Sequence, residues 1–175
     1  MNRQKRFNCL LDVDGVMTDG RIVMNDLGQE IKFFNVKDGH GIRLLLKAGI
    51  DVAIITGRDS ETVRRRALDL EIPIVYQGIK DKESVCRKIM QDKGVEKEQV
   101  CCMGDDLPDI PMLRCAGFPV AVADATFETK KSALFVTRAA GGYGAVREIC
   151  EIILKAKGLW PEIDGIERKN KLGFT

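Results

Sequence analysis

The sequence predicts an α/β fold of the Rossmann-like type, in which a parallel sheet is flanked by helices. Three short apolar runs, "CLLDV", "VAIIT" and "VCCMG", have the length and composition of buried strands. Each run is followed by a polar or glycine-containing turn and then by a segment with helical periodicity. Strands that alternate with helices are typical of a parallel sheet whose crossover connections cover both faces.

The remaining elements are predicted from capping residues and from weaker apolar runs. The first helix contains "RLLLK", can be capped by Asp38, and ends at residues 48–49. Asp59 or Ser60 can cap the second helix, "SETVRRRALDL", which stops before a proline. Two further helices are predicted at "KESVCRKIMQDKG" and "GAVREICEIILKAKG". Additional strands are predicted at "IPIVY", "FPVAV" and "ALFVT".

Residues 20–36, "GRIVMNDLGQEIKFFNV", interrupt the alternation of strands and helices. Two β-like stretches flank "NDLGQ", which predicts a β-hairpin inserted after the first strand. The insertion is too short to form a cap domain. We therefore expect one domain over residues 1–160, followed by a polar C-terminal tail at residues 161–175.

The composition excludes several classes of function. A formal net charge of +2 argues against a general nucleic-acid binder, and no apolar stretch approaches the ~20 residues of a membrane span. The six cysteines form no CxxC pair, and His40 is the single histidine, which argues against zinc. Most cysteines lie in apolar runs, as free thiols do, and this favours a reducing compartment and a cytoplasmic location.

Polar side chains follow the predicted strands at their carboxyl ends, where open α/β sheets bind their ligands. These ends and the start of the helix after "YQGIKD" supply Asp12, Asp14, Thr56, Arg58, Lys82, Asp105, Asp106 and Asp109. So many carboxylates in one place require positive charge, and a hard divalent cation with oxygen ligands, such as Mg²⁺, would neutralise them together with Lys82.

This set of groups is suited to phosphoryl transfer. One carboxylate can attack phosphorus to form an aspartyl-phosphate, and a second, two residues later, can protonate the leaving oxygen and then deprotonate a water molecule. Thr56 and Lys82 can bind the oxygens of the transferring phosphoryl group.

The motifs "DVDGVMTDG", "IITGR", Lys82 and "MGDDLPD" resemble, in order, the four motifs of the haloacid dehalogenase superfamily of phosphatases. The segments "FNVKDGHGIR", "YQGIKDK" and "GGYGAVRE" resemble the branch that hydrolyses 3-deoxy-D-manno-octulosonate 8-phosphate (KDO 8-phosphate) for lipopolysaccharide precursor synthesis. The likeness covers residues 7–158. It implies a small acid-sugar phosphate as the substrate.

The resemblance also implies roles for individual residues. Asp12 would be the nucleophile and Asp14 the acid/base, while magnesium would be held by the side chains of Asp12 and Asp105 and the backbone carbonyl of Asp14. The implied substrate contacts are Asp14, Asn35, Val36, Lys37, Asp38, Gly39, Arg43, Arg58, Arg66 and Lys82.

Several alternatives stay open at this level. Asp106 is either a second metal ligand or an anchor for Lys82 or the loop, and Asp109 has either a structural role or a functional one. A run of arginines such as residues 64–66 is normally a solvated helix face, and the resemblance implies a substrate contact for Arg66 alone. His40 is either a general base or a residue that lines the site and forms local hydrogen bonds. The alternative activities are a phosphatase of a nine-carbon acid-sugar phosphate, a phosphomutase, and a regulatory domain without catalysis.

The apolar side chains of the predicted hairpin exceed what a two-stranded hairpin can bury against itself. They are Ile22, Val23, Met24, Ile31, Phe33 and Phe34. We expect them to pack against other subunits, and the resemblance implies a homotetramer in which a neighbouring subunit covers each active site. The alternative is that the hairpin folds back on its own domain.

Overall fold

The computed structural model describes residues 8–160. The expected tail at residues 161–175 lies outside the described residues, and its separation from one domain over residues 1–160 stays a prediction. Among residues 8–160, no helix has both the length and the apolar character needed to cross a membrane.

A six-stranded parallel sheet forms the centre of the fold, in the order β5-β4-β1-β6-β7-β8, and β2 pairs with β3 as a separate antiparallel hairpin. The strands are β1 (Asn8–Leu11), β2 (Val23–Met24), β3 (Glu30–Ile31), β4 (Asp51–Ile55), β5 (Ile74–Tyr76), β6 (Val100–Gly104), β7 (Phe118–Ala121) and β8 (Phe135–Val136). The helices are α1 (Val36–Lys47), α2 (Glu61–Asp69), α3 (Lys82–Lys93), α4 (Ile110–Cys115), α5 (Phe127–Lys131) and α6 (Ala145–Ala156). The predicted α/β class, the six sheet strands and the hairpin are confirmed.

The sheet separates two hydrophobic clusters because side chains alternate along each central strand. In β1, Cys9 and Leu11 face the cluster formed with α1, α2 and α6, whereas Leu10 faces the cluster formed with α3 and α4. The central strands are buried on both faces, which explains why they read as continuous apolar runs rather than as alternating patterns. The same burial fixes the positions where these strands end.

The capping prediction for α1 was wrong. Asn35 is the N-cap, since its side chain accepts a hydrogen bond from the backbone N–H of Lys37. Asp38 lies in the first turn instead, where its Oδ1 accepts a hydrogen bond from the backbone N–H of Arg147, 2.7 Å away at the start of α6. Asp38 therefore caps a helix 109 residues further along the chain, a partnership that only the tertiary fold creates.

The other helix boundaries agree with their predicted signals. Ser60 is the N-cap of α2. α3 runs from Lys82 to Lys93, and its C-cap is Gly94, which has a left-handed conformation with φ of 61°. The short helix α5 was not predicted. The six cysteines are all free and buried, as expected from their apolar surroundings.

Candidate active site

Three aspartates converge at the carboxyl end of the sheet. Asp12 follows β1 and Asp105 follows β6, and these two strands are neighbours in the sheet. Asp109 lies at the end of a short 3₁₀ helix, Leu107–Asp109, that continues from β6. Each aspartate offers a carboxylate oxygen, and these oxygens all lie within 4.8 Å of one another. This end of the sheet thus brings together three of the acidic residues that the sequence predicts there.

Lys82 is the cation inside this cluster. Its side chain is 5% exposed, and Nζ donates hydrogen bonds to Oδ1 of Asp12 at 2.7 Å and to Oδ1 of Asp109. Burial alone would lower the pKa of Lys82, but the two carboxylates raise it above its usual value. Lys82 is therefore a permanent positive charge that fixes one oxygen of Asp12.

Asp109 has both carboxylate oxygens occupied by the protein. Oδ1 accepts from Lys82, and Oδ2 accepts from the backbone N–H groups of Asp105 at 2.9 Å and Asp106 at 3.3 Å. Asp106 caps the 3₁₀ helix, with Oδ1 accepting from the N–H of Leu107. Of the two acids whose roles the sequence left open, Asp109 thus holds both Lys82 and the loop.

The cluster carries more negative charge than Lys82 can neutralise. Burial, followed by repulsion from Asp109, raises the pKa of Asp12 to about 7. Burial and the carboxylates of Asp109 and Asp12 raise the pKa of Asp105 to about 8. The carboxyl groups of Asp12 and Asp105 thus resist ionisation, and their oxygens lie close to one another and to those of Asp109. Such a set of oxygen ligands fits a hard divalent cation such as Mg²⁺.

Gly15 is required where the loop after β1 passes Asp105. Its φ of +88° lies in the left-handed region, and a Cβ at this position would be 2.1 Å from Oδ2 of Asp105. The glycine loop before α6 packs onto the same turn, since a Cβ at Gly141 would be 1.7 Å from the carbonyl oxygen of Gly15. This loop is a tight turn packed against the turn that follows β1.

Asp14 lies on the turn after Asp12, and the hairpin contacts it. Lys32, just after β3, donates a hydrogen bond from Nζ to Oδ1 of Asp14 and has a side chain that is 1% exposed. Oδ2 of Asp14 is buried and accepts no hydrogen bond from residues 8–160. Sequence reasoning missed Lys32. The signal that could have found it is the spacing of Glu30 and Lys32, which places both on one face of a strand.

Thr56 and Arg58 follow β4, the other neighbour of β1. Thr56 is buried, and its Oγ1 accepts from the backbone N–H of Arg58 at 3.4 Å. The guanidinium of Arg58 donates to Oε1 of Glu30 at 3.0 Å and places Nε 3.9 Å from Oδ2 of Asp14. The structure thus brings Arg58 to the edge of the site.

Other expected substrate contacts have partners away from the acidic cluster. Asn35 donates to the carbonyl oxygen of Gly142 at 3.3 Å, which ties the start of α1 to the glycine loop. Arg43 donates to the carbonyl oxygen of Asp69 at the end of α2. Val36 and Lys37 are exposed. Their roles in substrate binding stay predictions.

Arg66 is half-buried beside the first turn of α1. Its Nη1 pairs with Oδ2 of Asp69 at 2.6 Å, and its guanidinium lies 5.6 Å from the ring centroid of Phe34. Gly39 makes room for it, since a Cβ there would be 2.3 Å from Nη2. Its Nε is buried without a hydrogen-bond partner among residues 8–160. Arg66 is thus not part of a solvated helix face.

Comparison with known proteins identifies relatives of this chain. Residues 73–149 match the family model described as haloacid dehalogenase-like hydrolase. The chain is 48% identical over 148 residues to 3-deoxy-D-manno-octulosonate 8-phosphate phosphatase KdsC of Yersinia pestis, covering 85% of this chain and 79% of that protein.

Solved structures show the same fold. The Moraxella catarrhalis 3-deoxy-D-manno-octulosonate 8-phosphate phosphatase, in complex with magnesium ion, phosphate ion and KDO, superposes with a TM-score of 0.84 at 42% identity, covering 87% of this chain and 88% of that one. The cobalt-bound enzyme of Haemophilus influenzae gives a TM-score of 0.83 at 42% identity, covering 86% and 88%.

Proposed function

This chain belongs to the 3-deoxy-D-manno-octulosonate 8-phosphate phosphatase family of haloacid dehalogenase-like hydrolases, and we propose that Asp12 and Asp14 divide its catalysis between them. The enzyme is a magnesium-dependent phosphatase that converts KDO 8-phosphate to KDO and phosphate in lipopolysaccharide precursor synthesis. The observation that carries the role of Asp12 is the hydrogen bond from Lys82, because it holds one oxygen of this buried carboxylate in place and leaves the other oxygen to react.

In the first half of the reaction, the carboxylate oxygen of Asp12 that Lys82 does not hold attacks phosphorus. The bond between phosphorus and the sugar oxygen breaks, and Asp14 transfers its proton to that leaving oxygen. Lys82 and Thr56 bind oxygens of the phosphoryl group as it moves. The products of this half are free KDO and an aspartyl-phosphate on Asp12.

In the second half, Asp14 removes a proton from a water molecule that attacks the phosphorus of the aspartyl-phosphate. The carboxylate of Asp12 is released together with inorganic phosphate, and Asp14 is again protonated for the next cycle. Bound Mg²⁺ supplies positive charge at the phosphoryl oxygens and would be held by the side chains of Asp12 and Asp105 and the carbonyl of Asp14.

The proposed roles are tested by phosphate release from KDO 8-phosphate. Asp12→Asn should abolish turnover with the fold intact, and Asp14→Asn should lose most of it, because an amide neither attacks phosphorus nor transfers a proton. Chelation by EDTA should stop the wild-type enzyme, and added Mg²⁺ should restore it. Near-wild-type turnover by a purified, undeamidated Asp12→Asn protein would refute the covalent mechanism.

The nine-carbon acid-sugar phosphate is a separate candidate substrate that the family assignment does not favour. The Nε of Arg58 lies 3.9 Å from Oδ2 of Asp14 at the edge of the site, and relatives acting on nine-carbon sugars can have an acidic residue at this position. A comparison of kcat/KM for KDO 8-phosphate and a nine-carbon analogue tests this preference.

We also propose the homotetramer. Among residues 8–160, the four hairpin side chains Ile22, Met24, Ile31 and Phe33 are 44–58% exposed, and Phe34 packs against the core. The hairpin does not bury these groups on its own domain, which supports contact with other subunits. Multi-angle light scattering tests the proposal: we expect about four times the chain mass of 19.5 kDa, and a fully active monomer would contradict a shared site.

A cytoplasmic location is proposed on chemical grounds. All six cysteines are free and buried, and cysteines without disulfide partners are typical of proteins in a reducing compartment. Cell fractionation tests it.

A further inference from the structure

A chain of ion pairs connects the hairpin to Asp14. Lys32 Nζ contacts Oδ1 of Asp14 and lies 3.2 Å from Oε1 of Glu30. The same Oε1 of Glu30 accepts from Nη2 of Arg58 at 3.0 Å. Two acids and two bases therefore alternate from the turn after β1, through the hairpin, to the turn after β4.

Lys32 is the buried member of this chain. Its side chain is 1% exposed, whereas the side chains of Asp14 and Glu30 are 21% and 15% exposed. A buried ammonium is costly to desolvate unless it is paired, and here two carboxylates share it. Burial alone would raise the pKa of Glu30, but hydrogen bonds from Ser60 and Lys32 outweigh it and keep the pKa lower than usual. Glu30 is thus an anion that holds Lys32 in place.

The contact with Lys32 gives the two carboxylate oxygens of Asp14 different surroundings. Oδ1 is fixed by Lys32, whereas the buried Oδ2 accepts no hydrogen bond from the described residues. Nε of Arg58 forms a longer ion pair with Oδ2, at 3.9 Å. A general acid must present one oxygen to the leaving group in a defined direction, and a carboxylate held by its other oxygen meets that requirement.

We propose that Lys32 is a positioning residue for Asp14, held in turn by Glu30, so that the hairpin orients the general acid of the reaction. This inference rests on the proposed function, since it requires Asp14 to protonate the leaving oxygen. The hairpin then has a role inside its own subunit in addition to any contact with other subunits.

The test is the dependence of kcat/KM on the leaving group. This ratio reports only steps up to departure of the leaving group, so hydrolysis of the aspartyl-phosphate does not affect it. Nitrophenolate leaves without a proton, phenolate gains from one, and the sugar alkoxide requires one. Aryl phosphates lack the carboxylate and hydroxyl groups of the sugar, so a lost sugar contact cannot mimic a lost proton transfer.

A positioned general acid contributes ~10²- to 10⁴-fold to the rate of a step that needs its proton. Lys32→Met should therefore lower kcat/KM by ~10- to 100-fold for KDO 8-phosphate and by roughly 10-fold for phenyl phosphate. For p-nitrophenyl phosphate the loss should be less than about 3-fold. Lys32→Arg should recover most of the loss, since a guanidinium can also bridge two carboxylates. Lys88→Met is the matched control, because Lys88 pairs with Asp92 at 2.7 Å on the outer face of α3, and it should leave all three values unchanged.

Equal losses with the two aryl phosphates would overturn the proposal, since a purely structural residue lowers both alike, and so would no loss with any substrate. If Lys32→Met fails to fold, Glu30→Gln is measured instead, and the same selective pattern, smaller in size, is expected. Asp14→Asn separates this inference from the proposed function: if it shows no leaving-group selectivity in the wild-type background, the acid role of Asp14 itself is wrong.

Discussion

Replacing Asp109 by asparagine distinguishes an anchor from a metal ligand at a position where the geometry of the cluster allows both. Oδ1 accepts from Lys82 and Oδ2 from two backbone N–H groups, so an amide, with one acceptor oxygen, must turn its NH₂ toward one of these donors. If the amide oxygen stays toward the two backbone N–H groups, Asp109→Asn loses one charge-assisted hydrogen bond, the one with Lys82, which costs ~1.5–3 kcal/mol. For a chain of this size, that corresponds to a fall in Tm of about 3–12 °C.

The calculated loss is an upper bound for a physical reason. Asp109 raises the pKa of both Asp12 and Asp105 by repulsion, and removing its charge relieves that repulsion. The fall in Tm, measured by differential scanning calorimetry in EDTA, should lie in the lower half of the range. A fall larger than the bound would mean that the loop around Asp105 collapses without its anchor.

Magnesium affinity then distinguishes the two roles. If Asp109 is an anchor that orients Asp105, Asp109→Asn weakens Mg²⁺ by no more than ~10- to 100-fold and binding still saturates. Asp105→Asn should lose saturable binding in the millimolar range. Asp106→Asn is the matched control, because asparagine caps a helix as well as aspartate does. Equal loss of Mg²⁺ binding in Asp109→Asn and Asp105→Asn would refute the anchor.

Three further predictions follow from the site. Burial and repulsion raise the pKa of Asp12 to about 7 and that of Asp105 to about 8, so the metal-free fold loses stability as the pH rises from ~4 toward ~8 and these groups ionise. Because Mg²⁺ offsets the charge of the ionised groups, the increase in Tm on adding Mg²⁺ should be larger at pH ~8.5 than at pH ~5.5. Equal increases at the two pH values would contradict this. Arg58→Glu should lower kcat/KM for KDO 8-phosphate by ~10- to 100-fold through loss of a charge-assisted contact, and an unchanged ratio would show that Arg58 points away from the substrate. Asp38→Ala should lower the Tm by about 2–8 °C, because α6 loses the acceptor at the N–H of Arg147; calorimetry at neutral pH decides it.

The sheet and the acidic cluster could be predicted because their determinants are local. A run such as "VCCMG" can be buried on both faces only as a central strand, and the polar residues after it must then lie at the carboxyl edge with Asp12 and Lys82. Because neighbouring strands are a fixed distance apart, residues at adjacent strand ends lie within a few ångströms of one another whatever their side-chain conformations. This is why Asp12 and Asp105, which follow the neighbouring strands β1 and β6, lie in one cluster.

The partners of Asp38 and Asp14 could not be predicted, because they depend on how distant segments pack. An aspartate in the first turn of a helix normally reads as a local cap, whereas Asp38 caps a helix that reaches it only through the tertiary contact of α1 with α6. A lysine on a short hairpin is normally expected to be exposed to solvent. The side chain of Lys32 is buried because the hairpin folds over the turn that carries Asp14. The spacing of Glu30 and Lys32 indicates a shared strand face, but it does not indicate which residue that face contacts.

The alternation after β3 connects the two roles of the hairpin. Along residues 30–34, Glu30, Lys32 and Phe34 turn toward the domain, whereas Ile31 and Phe33 are 44% and 58% exposed. Since a two-stranded hairpin is marginally stable by itself, its position over Asp14 depends on what holds each face. The ion pairs hold the inner face, and contacts between subunits would hold the outer one. If the proposed assembly forms, it would therefore stabilise the arrangement that orients Asp14, and this would give a capless phosphatase a physical reason to place the hairpin between subunits.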